Sequence, residues 1–368
     1  MHYRVVLVEH DPGMLSTLAG VIRAEPTFDL AATYSDPQAA LGQSGVLRPN
    51  LFLIDVDDWA NLELLPKFVS QFAKGQVLGL MERWNADKAE AVLAAGARGS
   101  ILKPFQPHDV LDALSLYERR GHNLSARTVA FFSPKGRSGS TTTAAVLAIE
   151  LAKKSGEAVA LIDADLQFGD LAMFFDVVPT HNVVEATHDV RLLTPATLEP
   201  YFHEIGNGLW LLAGPNRPEH AELVEAQRLI DVVRMAGSLF RYVIIDLPAG
   251  FNPISLALAE FADTDILITM LNSGQEVYHM KRSIKLFNTW ETYGKKIYSL
   301  FSRVNPCTPE QQRKIEAEFG REVTGILPNE RRMTAIAGSG RLMQDLSDKM
   351  PLVSSIGSLA ADMVAARR

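Results

Sequence analysis

The sequence predicts an α/β protein with two doubly wound parallel-sheet domains in tandem, residues 1–121 and 122–368. Three observations predict it. Short continuous apolar runs recur along the whole chain, as expected of strands covered on both faces. Segments of helical periodicity separate them, the alternation of βα units. Polar residues stand just past the carboxyl ends of several runs, where such sheets gather their chemistry.

In the first domain the strands are "YRVVLV" (3–8), "FDLAAT" (28–33), "LFLID" (51–55), "QVLGLM" (76–81) and "GSIL" (99–102). Between them lie periodic segments such as "DKAEAVLAAG", which puts Ala89, Val92 and Leu93 on one helix face. Polar residues follow three strands: Glu9-His10-Asp11, Asp55, and Lys103 before Pro104. A polar connector, "RRGHNLSAR" (119–127), breaks the periodicity. The second domain continues with "TVAFFS" (128–133), "AVALID" (158–163), "GLWLLAG" (208–214), "YVIIDLP" (242–248), "DILITML" (265–271), "KIYSLFS" (296–302) and "EVTGILP" (322–328). Amphipathic stretches at 140–155, 219–238 and 274–293 are the expected helices. The last run, 349–368, spaces Leu352, Ile356, Leu359 and Met363 helically. It has few bulky apolar residues and almost no lysine, so it is expected to dock on its own domain and not on a lipid surface.

Composition narrows the function classes. The 368 residues are 47% hydrophobic and 21% charged, enough for two buried cores. A net charge of −7 gives no support for a non-specific nucleic-acid binder, and no nucleic acid is expected as a partner. The single Cys307 excludes an intramolecular disulfide and a cysteine metal cluster. The amino terminus turns acidic too early for a signal peptide, and no apolar run approaches a spanning length. A cytoplasmic protein is expected, recruited to a membrane or cell pole only through partners. The histidines show no metal-ligand spacing, and the four tryptophans are isolated, expected to pack and not to stack on bases.

The polar ends of the first domain resemble the receiver domain of two-component response regulators, a flavodoxin-like fold, over residues 3–119. The resemblance implies an acidic pair binding magnesium beside a phosphate-accepting aspartate, with a hydroxyl and a lysine at the phosphoryl group. Asp55 matches the phosphoacceptor and Lys103 the lysine. Glu9 and His10 take the acidic-pair positions, so an imidazole replaces one carboxylate where magnesium prefers hard oxygen. Met81 takes the hydroxyl position, and a thioether cannot donate a hydrogen bond to phosphate. Asp11 is available as a substitute acid. The expectation is an atypical receiver used for contacts, in which Asp55 and Lys103 form a retained surface ion pair.

The segment "FFSPKGRSGSTTT" (131–143) carries the chemistry of the second domain. A strand, then glycines, then hydroxyl residues opening a helix present backbone N–H groups and a helix dipole to an anion. Against a standard G-x-x-x-x-G-K-[ST] loop, the early Lys135 and the hydroxyls of Thr141 and Thr142 are present. Ser140 stands where the internal lysine would be and Arg137 where a glycine would be. The loop resembles the deviant phosphate loop of the MinD/ParA class of ATPases, a branch of the P-loop NTPases that dimerises around two ATP molecules.

That resemblance implies ATP and Mg²⁺ as cofactors and a homodimer in which Lys135 reaches the partner's nucleotide. It places Gly136, Arg137, Ser138, Gly139, Ser140, Thr141 and Thr142 around the phosphates, Arg137 either obstructing the loop or salt-bridging a phosphate. "LIDADLQFGDL" matches the second acidic motif, with Asp165 as the catalytic aspartate and Asp163 as its companion. "YVIIDLPAG" matches the Walker-B region, putting Asp246 near magnesium and Gly250 in a switch-like turn. Thr141, Asp163 and Asp246 form the metal group. Asn305 of "FSRVNP" is the adenine reader, with Pro328 and Asn329 of "GILPNE" around base or ribose. A receiver-like domain followed by a MinD/ParA-like domain is the arrangement of the TadZ/CpaE group, which implies placement of a Tad/Flp pilus or secretion assembly. Loss of the internal lysine removes preorganised positive charge, so hydrolysis is expected to be slow or vestigial. Two rivals remain: a response regulator whose Asp55 phosphorylation controls the ATPase-like output, and a nucleotide-free scaffold.

Overall fold

The computed structural model describes residues 2–120, 126–271, 274–290, 296–304 and 308–366. By contacts the chain divides into two compact units, Met1–Leu124 with Asp189–Glu199, and Ser125–His188 with Pro200–Arg368. The stretch Asp189–Glu199 thus groups with the first unit, although it lies within the expected second domain.

In the first unit, strands β1 (Tyr3–Val8), β2 (Phe28–Tyr34), β3 (Leu51–Asp55), β4 (Gln76–Met81) and β5 (Gly99–Leu102) form a sheet in the order 2-1-3-4-5. Every pairing is parallel, one of the two common doubly wound orders. The two-residue period of a strand sends alternate side chains to opposite layers. Val5 and Leu7 pack with Leu18, Ile22 and Val110, whereas Val6 and Val8 pack with Phe68 and Val92. The helix Pro12–Ala24 starts where Asp11 caps it, its carboxylate accepting the Met14 N–H at 2.6 Å, with proline in the first turn.

In the second unit the strands are β6 (Arg127–Phe132), β7 (Val159–Asp163), β8 (His203–Gly206), β9 (Leu209–Leu212), β10 (Tyr242–Asp246), β11 (Thr264–Met270), β12 (Lys296–Val304) and β13 (Gly325–Pro328). Their order is 13-12-11-6-10-7-9-8, parallel throughout except β8, which runs antiparallel to β9. The expected strands are present. β8 is an addition, and the run at 322–328 is a strand only from Gly325. The expected helix 219–238 instead begins at Ala226, after a short 3₁₀ turn over Pro218–Leu223, because Val224 is extended and breaks the periodicity.

The helix Ser140–Ser155 departs from the amphipathic expectation. All ten residues from Thr143 to Ala152 are buried. The carboxyl-terminal helix Pro351–Ala365 covers its outer side, contributing Leu352, Val353, Ile356, Leu359, Ala360 and Met363 to the same core. That helix docks on its own unit, as expected. The helices Ala226–Gly237, Pro253–Phe261 and Gly274–Phe287 pack on β10, β6 and β11. Trp210 lies against Phe240, and Trp290 stacks on Phe287 at 4.4 Å, whereas Trp59 is half exposed.

Candidate functional site

The loop after β6 folds on itself through short side chains. The hydroxyls of Ser133 and Ser138 both donate to the Lys135 carbonyl, at 2.6 and 2.7 Å. The Gly250 N–H donates to the Ser133 carbonyl at 2.9 Å. From the other side the buried Ser302 hydroxyl, at the end of β12, donates to the Ser138 carbonyl at 2.6 Å. These bonds tie down the two feet of the loop and leave Lys135, Gly136 and Arg137 as an exposed crest. Gly139, left-handed at φ 79°, turns the chain into the helix Ser140–Ser155, and no side chain among the described residues caps that helix. Its first-turn N–H groups are therefore not taken by a capping side chain, the arrangement that binds anions elsewhere.

Two carboxylates stand beside this helix start. Asp246 ends β10 and Asp163 ends β7, and the parallel register sets them side by side. Both are 1% exposed. Asp163 accepts the N–H groups of Asp165 and Leu171, each at 3.2 Å. Gly169 makes that possible, because a Cβ there would fall 2.4 Å from an Asp163 oxygen. Asp246 accepts the Ser140 hydroxyl at 3.4 Å, and the Thr141 side chain also acts on it. Burial pushes Asp246 up to about 7, with Asp165 adding to the rise and the Thr141 and Ser140 hydroxyls opposing it. Burial, then the neighbouring Asp246, raises Asp163 well above the usual carboxylate range. Two carboxylates this dry and close favour sharing a proton or a cation. The all-oxygen set of Thr141, Asp163 and Asp246 suits a hard cation such as Mg²⁺.

Asp165 is half-buried and accepts the Phe168 N–H at 3.2 Å. Pro328 and Asn329 share a cavity of about 100 Å³ with Ser138, Gly139, Thr142, Ser302 and Arg303, beside the loop. Asn305 lies outside the described residues. Sequence reasoning missed Gly169 and Ser302. Both lie within the quoted motifs, "LIDADLQFGDL" and "FSRVNP", but a glycine or serine signals nothing until its neighbour across the fold is known.

The polar ends of the first unit also converge, in a form that corrects two expectations. Asp55 and Lys103 do not form a surface pair: their side chains are 0% and 1% exposed. The Lys103 ammonium bridges Glu9 at 2.8 Å, Asp55 at 3.0 Å and Asp57 at 3.1 Å. Asp57 was not foreseen; it stands two residues past the strand end, where a loop turn brings it back. Asp11 does not substitute as an acid, because it caps the helix Pro12–Ala24. Met81 is fully buried in the apolar layer. His10, largely exposed, bonds Asp55 at 2.5 Å, and that bond raises its pKa. Burial acts to raise Asp55, but the Asp57 N–H, His10 and Lys103 outweigh it and hold it below its ordinary value. Ligand atoms of Glu9, His10 and Asp55 lie within 4.8 Å of one another, yet Lys103 already supplies a cation to two of them.

A parallel sheet with a glycine loop opening a helix, flanked by paired buried carboxylates at the strand ends, defines a phosphate-loop nucleotide-binding fold. The family model described as the CobQ/CobB/MinD/ParA nucleotide binding domain matches residues 129–342, and the chain belongs to that family. Among curated proteins, an uncharacterized ATP-binding protein of Methanocaldococcus jannaschii is 26% identical over 246 residues, 66% of this chain and 90% of its own length. The septum site-determining protein MinD of a Synechocystis species is 27% identical over 221 residues, 58% of this chain and 80% of its own. Among solved structures, a ParA family ATPase from Chlorobium tepidum superposes with a TM-score of 0.60 at 23% identity, covering 64% of this chain and 99% of that one. MinD of Pyrococcus horikoshii, complexed with Mg-ADP, gives 0.54 at 19% identity, covering 65% and 96%. These structural likenesses establish the fold. No described helix is long and apolar enough to cross a membrane.

Proposed function

We propose that the second unit binds ATP with Mg²⁺ and works as a nucleotide-linked dimer that positions a Tad/Flp-type pilus or secretion assembly, with slow hydrolysis. One observation carries the nucleotide reading: the uncapped start of the helix Ser140–Ser155 meets buried Asp246 through Ser140 and Thr141, with Asp163 in register beside it. In this reading the N–H groups of Gly136 to Thr142 receive the phosphates. Thr141, Asp163 and Asp246 hold Mg²⁺, which neutralises phosphate charge when bound. Pro328 and Asn329, with Asn305, enclose the base or ribose. Asp165, beside Asp163 and half in solvent, orients water. Ser140 offers a hydroxyl where a lysine would offer charge, so turnover is slow. Lys135, exposed on the crest, is free to reach a second copy's nucleotide.

The first unit fits an atypical receiver used for contacts. Asp55 is fully buried and engaged by His10, Lys103 and the Asp57 N–H, so a phosphoryl donor would have to displace all three. Stable labelling of Asp55 by acetyl phosphate with Mg²⁺ would favour the response-regulator reading instead. The assembly role rests on the resemblance of the two-domain arrangement to the TadZ/CpaE group, and loss of a tagged chain's focal placement in cells without pilus genes would test it.

The deciding experiment is calorimetric titration of Mg-ATP into wild type and Lys135→Ala, with molecular mass measured with and without nucleotide. Micromolar binding in both proteins, with an ATP-linked mass doubling only in wild type, is expected. No binding at millimolar ATP would leave the scaffold reading.

A further inference from the structure

The crest of the loop assigns its small and large residues against the preference of the backbone. Gly136 does not occupy the left-handed region, and a Cβ built there would meet only Ala249, at 3.9 Å. Nothing among the described residues requires glycine at that position. Such a glycine fits a site where a ligand must approach the backbone closely. Arg137, the next residue, has φ 66°. There a Cβ crowds the following carbonyl and glycine would be easy. Folding alone would exchange the two residues.

The charges point the same way. Ser140 replaces the internal lysine, and its hydroxyl contacts Asp246. The cations that remain on the loop are Lys135 and Arg137, both exposed, and Arg137 has no hydrogen-bond or ion-pair partner among the described residues. A strained conformation that holds an unpaired guanidinium on the rim of a phosphate loop fits a functional demand and not a packing one.

We propose that Arg137 supplies, from the crest, the fixed positive charge that the internal lysine would otherwise bring to a bound nucleotide's polyphosphate. The assignment rests on the nucleotide reading above. A guanidinium can hold two phosphate oxygens at once and stays charged at every relevant pH. The loop has moved its cation from the helix start to the turn before it.

The test is calorimetric titration of the full chain with Mg-ATP and with adenosine, for wild type, Arg137→Gly, Arg137→Asn and Arg137→Lys, beside thermal melts. Glycine and asparagine both accept the left-handed turn, so Arg137→Gly and Arg137→Asn should melt no lower than wild type. Each should weaken Mg-ATP at least tenfold and leave adenosine within twofold, whereas Arg137→Lys should fall between. Unchanged ATP affinity in the two neutral variants, or an equal loss for adenosine, overturns the assignment while the nucleotide reading stands. Failure of wild type itself to bind Mg-ATP overturns that reading and the assignment with it.

Discussion

At the scale of single residues, the buried network of the first unit makes the sharpest claims. Lys103 holds three carboxylates together with almost no access to water. Replacing it by methionine leaves Glu9, Asp55 and Asp57 facing one another, and breaking such a buried pair costs on the order of 3–5 kcal/mol. Urea unfolding of Lys103→Met should show that loss; a change below about 1 kcal/mol would mean that the ammonium does little for the fold. His10 adds a pH dependence. Its pKa is raised in the folded chain by Asp55, so its contribution is full below the unfolded value near 6.5 and fades as pH climbs through the folded value. The imidazole side chain is 61% exposed, which limits the effect to about 1 kcal/mol or less. The stability gap between wild type and His10→Gln should therefore be wider at pH 6 than at pH 9. The residues of this network were legible one by one at strand ends, because strand periodicity locates strand ends. Their burial was not, since it depends on helices packed from both sides, and Asp57 was hidden by a turn.

At the scale of elements, strands were read well because runs such as "VALID" and "YVIID" are apolar on both faces. The antiparallel strand β8 escaped because "HEIG" is largely polar, and it runs along one edge of the sheet where one side needs no cover. The helix Ser140–Ser155 looked amphipathic, yet it is buried nearly all round. A partner helix more than 190 residues later in the chain covers its outer side, and no local window contains that fact. The consequence is measurable. Ile356, fully buried at the centre of that cover, should lose about 2–5 kcal/mol when cut to alanine. Equilibrium unfolding of Ile356→Ala within 1 kcal/mol of wild type would show the carboxyl-terminal helix to be a loose appendage.

At the scale of the whole molecule, two compact units predict more than one unfolding event. Differential scanning calorimetry should resolve two transitions. Mg-ATP at a hundred times its dissociation constant should stabilise one by about 2.7 kcal/mol and leave the other in place. Equal movement of both would show that nucleotide is not confined to the second unit. The assignment of Asp189–Glu199 to the first unit was invisible in sequence, because long-range grouping leaves no periodic trace.

The edges of the second sheet set one more property. Among the described residues it ends on one side with β8 and on the other with β13, each four residues long, and β13 closes on Pro328. Short strands and a proline give an incoming chain few free backbone groups to add to. Growth by sheet extension, the route to ribbons and fibres, is thereby discouraged at both margins. Self-association is left to side-chain surfaces, where a two-fold contact closes on itself and consumes its own binding patch. The particle size should therefore level off as protein concentration rises, and light scattering would find a finite assembly and not a lengthening one.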